Sequence, residues 1–146
     1  MPFQATYPDY LISQYVDNLR KNPAISEPIR VNLSRLAGNV AHNLTYSSKI
    51  GQFVYHTTDI IMLSGVKQYD ITYYIRPLDN FSSYMSTIQQ MIDSFVINTS
   101  IKSNMIQQIS NSWFSTYENN STLGVKIQYP SNWKRIEYGN VGVVFL

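Results

Sequence analysis

The chain has no cysteine, which excludes disulfides, thiolate metal sites, iron–sulfur clusters and cysteine nucleophiles together. It is also short of charge. Charged residues make up 14%, against about a quarter in an ordinary soluble domain. The net charge of +2 comes from scattered basic residues, in runs no longer than Arg20-Lys21 and Lys134-Arg135. A nucleic-acid partner is therefore not expected. The six glycines are dispersed among turns, and neither a phosphate-cradling glycine loop nor a Gly-x-Ser-x-Gly elbow occurs. No apolar run approaches the roughly 20 residues that a membrane span requires. Met1 to Tyr10 has neither the cationic start nor the apolar stretch of a secretion signal. The expectation is a soluble chain without an export address of its own.

What is present is one domain's worth of residues, 146, of which 44% are hydrophobic. That is enough to bury a real core. Polarity comes from Ser, Thr, Asn and Gln and from the hydroxyls of twelve tyrosines. Asn-x-Ser/Thr triplets occur at Asn32, Asn43, Asn80, Asn98, Asn119 and Asn120. They stand open between glycan acceptors and ordinary turn or cap residues, the second being the simpler reading.

Periodicity places the elements. Tyr10, Leu11, Tyr15, Val16 and Leu19 recur at helical spacing after Pro8-Asp9, and Asn22-Pro23 ends that helix. From Ile25 to Leu36 the period changes to two, with Pro28 marking a strand start or an edge. Ala37-Gly38-Asn39 is a tight turn and 40–46 the returning strand, broken by Ser47-Ser48-Lys49. Residues 52–63 and 68–76 read as a second antiparallel hairpin. Asp79 or Asn80 caps a helix whose stripe is Tyr84, Ile88, Met91, Ile92 and Phe95. The segment 97–112 reads as linker, with Ile101, Met105, Ile106 and Ile109 as an alternative short helix. Trp113–Tyr117, Leu123–Tyr129 and Val141–Leu146 read as strands, with Glu118–Thr122 as a hairpin loop. Hairpins rather than βαβ crossovers imply an α+β domain, an antiparallel β-sheet flanked by helices. The apolar final strand, Val143-Val144-Phe145-Leu146, needs pairing and cover. Residues 113–146 are therefore expected to complete a sheet built from earlier residues.

The run from Phe114 through Gly124-Val-Lys-Ile-Gln-Tyr-Pro-Ser-Asn-Trp133, followed by Val143-Val-Phe-Leu146, resembles the opening of a PsbP-like domain. Leu36–Tyr46, Lys67–Tyr73 and Ile88–Phe95 resemble the later hairpins and closing helix of the same family. Thus 8–96 looks like the later part of such a domain and 113–146 like its opening, within a single domain spanning 1–146. A circular permutant, a piece of a tandem array and an end-swapping unit all account for that order. The 97–112 linker reaches about 50 Å when extended, so closure within one chain is expected, with a swapped dimer second. The resemblance implies an α/β/α sandwich and a non-catalytic binding or scaffold module. Such domains recur in ammonia-oxidising archaea, apparently outside the cell, so an extracellular or cell-surface setting is implied. Photosynthetic relatives support the oxygen-evolving metal centre, and related folds include a nuclear-import factor; these agree only in acting by contact.

Candidate chemistry is sparse. His42 and His56 lie on neighbouring predicted strands, and with Asp59 or Asp70 they are the one conceivable metal set. His42 also reads as filler of a half-exposed pocket, and no metal or cofactor is expected. The carboxylates Asp59, Asp70, Asp79, Asp93 and Glu118 show no pairing of the kind glycoside hydrolysis needs. No catalytic residue is assigned and the chain is not expected to be an enzyme. On strand 68–76, Tyr69, Ile71, Tyr73 and Ile75 share one side, and Asp70, Thr72, Tyr74 and Arg76 the other. The tyrosines, including Tyr55 of the same hairpin, form either a core face or an exposed patch for protein or glycan contact. A small-ligand carrier or metal-dependent enzyme using a sheet–helix cleft is the alternative.

Overall fold

A computed structural model of the protein describes residues 7–65, 67–76, 81–97, 113–119, 123–138 and 142–146. The chain divides into two compact units, Met1–Phe81 and Ser82–Leu146. The α+β class and antiparallel pairing expected from the sequence are what the chain adopts.

The first unit opens with α1, Tyr7–Lys21, which carries Asp9 in its first turn and Arg20 and Lys21 in its last. Those charges complement the helix dipole. Asn22 stops the helix: its Oδ1 accepts the Ala24 N–H at 2.9 Å, closing a turn that Pro23 cannot continue as helix. Four strands follow as a meander, β1 (Ile25–Leu36), β2 (Asn39–Ile50), β3 (Phe53–Ser64) and β4 (Lys67–Ile75), in the order β1-β2-β3-β4. The β1–β2 connection has positive φ at both Ala37 (50°) and Gly38 (76°). That geometry belongs to a two-residue hairpin turn matched to strand twist. Pro28 falls where the β1–β2 register shifts, between Ser26 and Arg30, on the sheet's edge strand. An edge is where a residue without an N–H is tolerated.

The end of β2 differs from expectation. Ser47-Ser48-Lys49 is not a break, because β2 runs on to Ile50. Ser48 is buried, and its Oγ lies 2.6 Å from Thr57 Oγ1 on β3. Paired hydroxyls let a polar run continue inside a sheet.

Alternation assigns the two faces. Ile12 and Val16 of α1 pack with Leu44 and Ile61, flanked by Tyr15, Leu19 and Ile29. Each large side chain buried in this cluster contributes about 1.5–3 kcal/mol. On the opposite face Leu36, Ala41, Ile60, Met62 and Ile75 are buried.

The second unit holds α2 (Phe81–Ser94) from its second residue on, with β5 (Val96–Ile97), β6 (Phe114–Asn119) and β7 (Val125–Pro130) in the strand order β5-β7-β6. Ile88, Met91, Ile92 and Phe95 are buried as the stripe predicts, whereas Tyr84 is exposed. Ser94 ties the end of α2 to β7: its Oγ donates to Met91 O at 2.6 Å and accepts the Gln128 N–H at 2.8 Å. A separate hairpin, β8 (Arg135–Tyr138) with β9 (Gly142–Phe145), follows the Pro-Ser-Asn turn. Lys134 and Leu146 exchange backbone hydrogen bonds of 2.7 and 2.8 Å at its open end. Phe145 stacks against Tyr129 at 4.5 Å and meets Tyr117 edge-on at 6.2 Å.

The expected completion of an earlier sheet by residues 113–146 goes only as far as Val96–Ile97, which pair with β7. Among the described residues, no ladder joins β6–β9 to β1–β4. The cap at Asp79 or Asn80 lies outside the described residues; of the expected 97–112 linker Ile97 instead belongs to β5, of the expected 118–122 loop Glu118 and Asn119 instead extend β6, and 98–112 and 120–122 lie outside the described residues.

Candidate functional site

The polar centre of the first unit is Asp59, a carboxylate in the middle of β3 with only 1% of its surface exposed. It stands opposite Leu44 on one side and Thr72 on the other. Three hydroxyls donate to it. Tyr46 Oη reaches Oδ2 at 2.7 Å, Tyr15 Oη reaches the same oxygen at 2.9 Å, and Thr72 Oγ1 reaches Oδ1 at 2.7 Å. A buried carboxylate is tolerable only with such donors. The arrangement also pins α1, through Tyr15, to β2, β3 and β4.

Burial first, and then the Asp59 carboxylate, hold the Tyr15 and Tyr46 phenols well above their ordinary range. Tyr74 is pushed up by the same two causes. Such phenols remain protonated donors and do not serve as bases. Asp59 itself has its oxygens occupied, so the cluster is a structural clamp. Burial also raises the Asp70 carboxyl, opposed by the hydrogen bonds that Gln68 donates to it.

Beyond the clamp, the same sheet face becomes aromatic. Phe53 and Tyr55 of β3 share the alternation of Asp59, and Tyr74 of β4 stands opposite Thr57. Tyr55 and Tyr74 meet edge-to-face at 6.3 Å, and the Arg76 guanidinium lies 4.1 Å over the Phe53 ring. Tyr74 keeps 54% of its surface exposed and Phe53 38%, with Ile50 beside them also exposed. Of the two readings of the tyrosine face, core or patch, the Tyr69, Ile71, Tyr73 and Ile75 side sits nearer the first. Tyr69, Tyr73 and Ile71 are half-buried on the opposite side, and the exposed aromatic group is Tyr74 on the side expected to be polar.

Toward the other end of the sheet, α1 overhangs a cleft of about 420 Å³. Leu11, Ile61 and Leu63 supply apolar walls, and Gln14, Asn39, His42 and Gln68 supply polar ones. His42 Nε2 lies 3.9 Å from Asp9 Oδ1, with the histidine side chain 15% exposed. The pocket-filler reading of His42 therefore becomes a lining role.

The two histidines are not brought together. His42 stands opposite Ile61 and shares the face of Leu44, whereas His56 stands opposite Ser47 and points to the other face. They are separated by about 16 Å along the strands, at ~3.3 Å per residue. Asp59 is committed to its hydroxyls and Asp70 to Gln68. No group of three His, Asp or Glu side chains suited to a metal occurs among the described residues.

Of the remaining carboxylates, Asp93 accepts from Gln89 at 2.8 Å on the exposed side of α2, and Glu118 is exposed on β6. Asn119 behaves as a turn residue: its Oδ1 accepts the Leu123 N–H at 3.0 Å. Asn32 is exposed on the edge strand, and the Asn43 Oδ1 is buried without a hydrogen-bond partner. Asn80, Asn98, Asn120 and Asp79 lie outside the described residues.

Sequence reasoning named Asp59 for the wrong partners and passed over Tyr46 and Thr72. One signal was available: a lone acid inside Thr57-Thr58-Asp59-Ile60-Ile61 must be buried, and a buried acid needs donors from neighbouring strands. No helix among the described residues is long and apolar enough to cross a membrane. Compared with protein-family models, curated proteins and solved structures, the chain matches none.

Proposed function

We propose that the chain is a non-catalytic binding or scaffold module of PsbP-like character, acting by contact with a protein, or with a glycan, at a cell surface. The observation that carries this reading is the exposed aromatic end of the four-stranded sheet, where Tyr55 meets Tyr74 edge-to-face and Arg76 lies over Phe53. Tyrosine and arginine are the residue types that concentrate binding energy at interfaces. Monomeric action is the simpler form, with an end-swapped dimer as the alternative.

The test presents immobilised protein with cell-envelope extract and with an oligosaccharide array. A variant carrying Phe53→Ser, Tyr74→Ser and Arg76→Ala is run alongside, and Leu33→Ser on the edge strand serves as control. The wild-type chain and the control should retain a common partner that the triple variant loses by tenfold or more, the scale of one hot-spot residue. Equal retention by all three proteins counts against the reading.

The second reading, a small-ligand carrier, is favoured by one observation, the cleft beneath α1. Its metal-dependent form has no support from the histidines, which face opposite sides of the sheet.

A further inference from the structure

We infer that the cleft beneath α1 takes an uncharged saccharide unit. The inference rests on the carrier reading of that cleft and names its ligand class. Carboxamides reach the cleft from helix and sheet alike. Gln14 and Asn18, four residues apart on α1, share one face of the helix, while Asn39 belongs to β2 and Gln68 to β4. Gln14 Nε2 donates to Tyr10 Oη at 2.8 Å, and Asn39 Nδ2 to the Ala37 carbonyl at 3.0 Å. Gln68 Nε2 donates to both oxygens of Asp70, at 3.0 and 2.9 Å. These bonds orient the amides and do not use their carbonyl oxygens, and a second N–H remains on Gln14 and on Asn39. Asn18 adds a donor and an acceptor, and the imidazole of His42, when neutral, one of each.

Among the described residues, no Asp, Glu, Lys or Arg lines the cleft. Asp9, 3.9 Å from His42, and Asp70, held by Gln68, are not lining residues. A charged ligand would therefore lose water without gaining an ion-pair partner in the lining. The mixed set of donors and acceptors calls for a molecule that both donates and accepts at several adjacent points, as each hydroxyl does. A sugar ring carries such hydroxyls side by side, together with a C–H face. Leu11, Ile61 and Leu63 give that face an apolar wall. The volume of about 420 Å³ lies within the usual range for small-molecule sites. Because Gln14, Asn18, Asn39 and Gln68 are exposed, the rim is open to a free sugar and to the end of a glycan alike.

The experiment titrates the full chain with the methyl glycosides of glucose, galactose and mannose, with the 6-carboxylate and 6-ammonium counterparts of each, and with 3-phenylpropanol. Binding is followed through the side-chain amide resonances of Gln14, Asn39 and Gln68 and the methyl groups of Leu11 and Leu63. At least one neutral glycoside should give saturable shifts at these groups, and its two charged counterparts should bind several-fold more weakly. Asn18→Ala, at an exposed helical position where alanine is well tolerated, should weaken that glycoside by about two- to tenfold, the worth of one hydrogen bond. Equal or tighter binding of an oligosaccharide ending in the same sugar assigns a glycan end, and weaker binding a free sugar; either supports the saccharide. A charged counterpart that binds as well as the neutral glycoside overturns the uncharged assignment, and an unchanged affinity in Asn18→Ala overturns recognition by the carboxamides. Saturable binding of 3-phenylpropanol with none of the glycosides keeps the carrier reading and overturns the saccharide. Absence of saturable shifts with every probe overturns both.

Discussion

Replacing Tyr46 with phenylalanine keeps the ring and deletes one of the three donors that hold Asp59. A hydrogen bond to a charged group contributes about 1.5–3 kcal/mol, and the carboxylate left short of a donor remains buried. With a urea dependence of about 2 kcal/mol per molar, the unfolding midpoint should fall by about 0.8–1.5 M at an unchanged slope. Asp59→Asn is itself expected to be destabilising, because it disturbs all three contacts. It should cost at least about 0.5 kcal/mol less in the Tyr46→Phe background, since the two positions share one network.

The pH dependence supplies an independent check. Tyr15 and Tyr46 hold their protons more tightly in the folded chain than in the unfolded one. Their contribution is therefore fully present below about pH 10, the unfolded value, and is lost progressively as pH rises above it. Tyr46→Phe should show a shallower alkaline decline than wild type. A midpoint within about 0.2 M of wild type, or the same cost for Asp59→Asn in both backgrounds, refutes the clamp as a source of stability.

Other outcomes follow from the same geometry. Ala37 occupies a positive-φ position at 50°, so Ala37→Asn should stabilise by about 0.5–1 kcal/mol in urea melts, and any destabilisation contradicts the assigned turn. Phe145→Ala removes the ring that stacks on Tyr129 and Tyr117. It should cost about 2–3 kcal/mol, less than a fully buried phenylalanine because the residue is half-buried, and a cost under about 0.5 kcal/mol argues against that packing. Asp70 has its carboxyl raised by burial, so its favourable contribution is present below the unfolded value near pH 4 and is lost as pH rises through the folded one. Asp70→Asn should therefore compare better with wild type at pH 7 than at pH 3, and the reverse order in paired melts contradicts the assigned shift.

Local chemistry was enough to read the elements. Alternation in 25–36 and 52–76, the Asn22-Pro23 stop and the Ile88–Met91–Ile92–Phe95 stripe depend only on neighbours in sequence, and each element formed where its pattern lay. The α+β class follows from those same patterns. Ser47-Ser48 misled because a serine pair reads as loop until its partner is known, and the partner is Thr57 on the next strand.

The site was less legible, for a physical reason. Alternation places Tyr74 and Tyr73 on opposite sides of β4 but does not say how far either is covered: α1 packs on the Tyr74 side, over Leu44 and Ile61, and still leaves Tyr74 54% exposed. Likewise, neither histidine carries a mark of its face until the β2–β3 register sets His42 opposite Ile61 and His56 opposite Ser47. The Asp59 clamp joins four elements and exists only once they are packed. The short-range pattern of residues thus dictated helices, strands and class, because propensity and period act over a few positions. Register, the covered face and the donors around a buried acid were left to long-range packing, in which each side chain's role depends on residues distant along the chain.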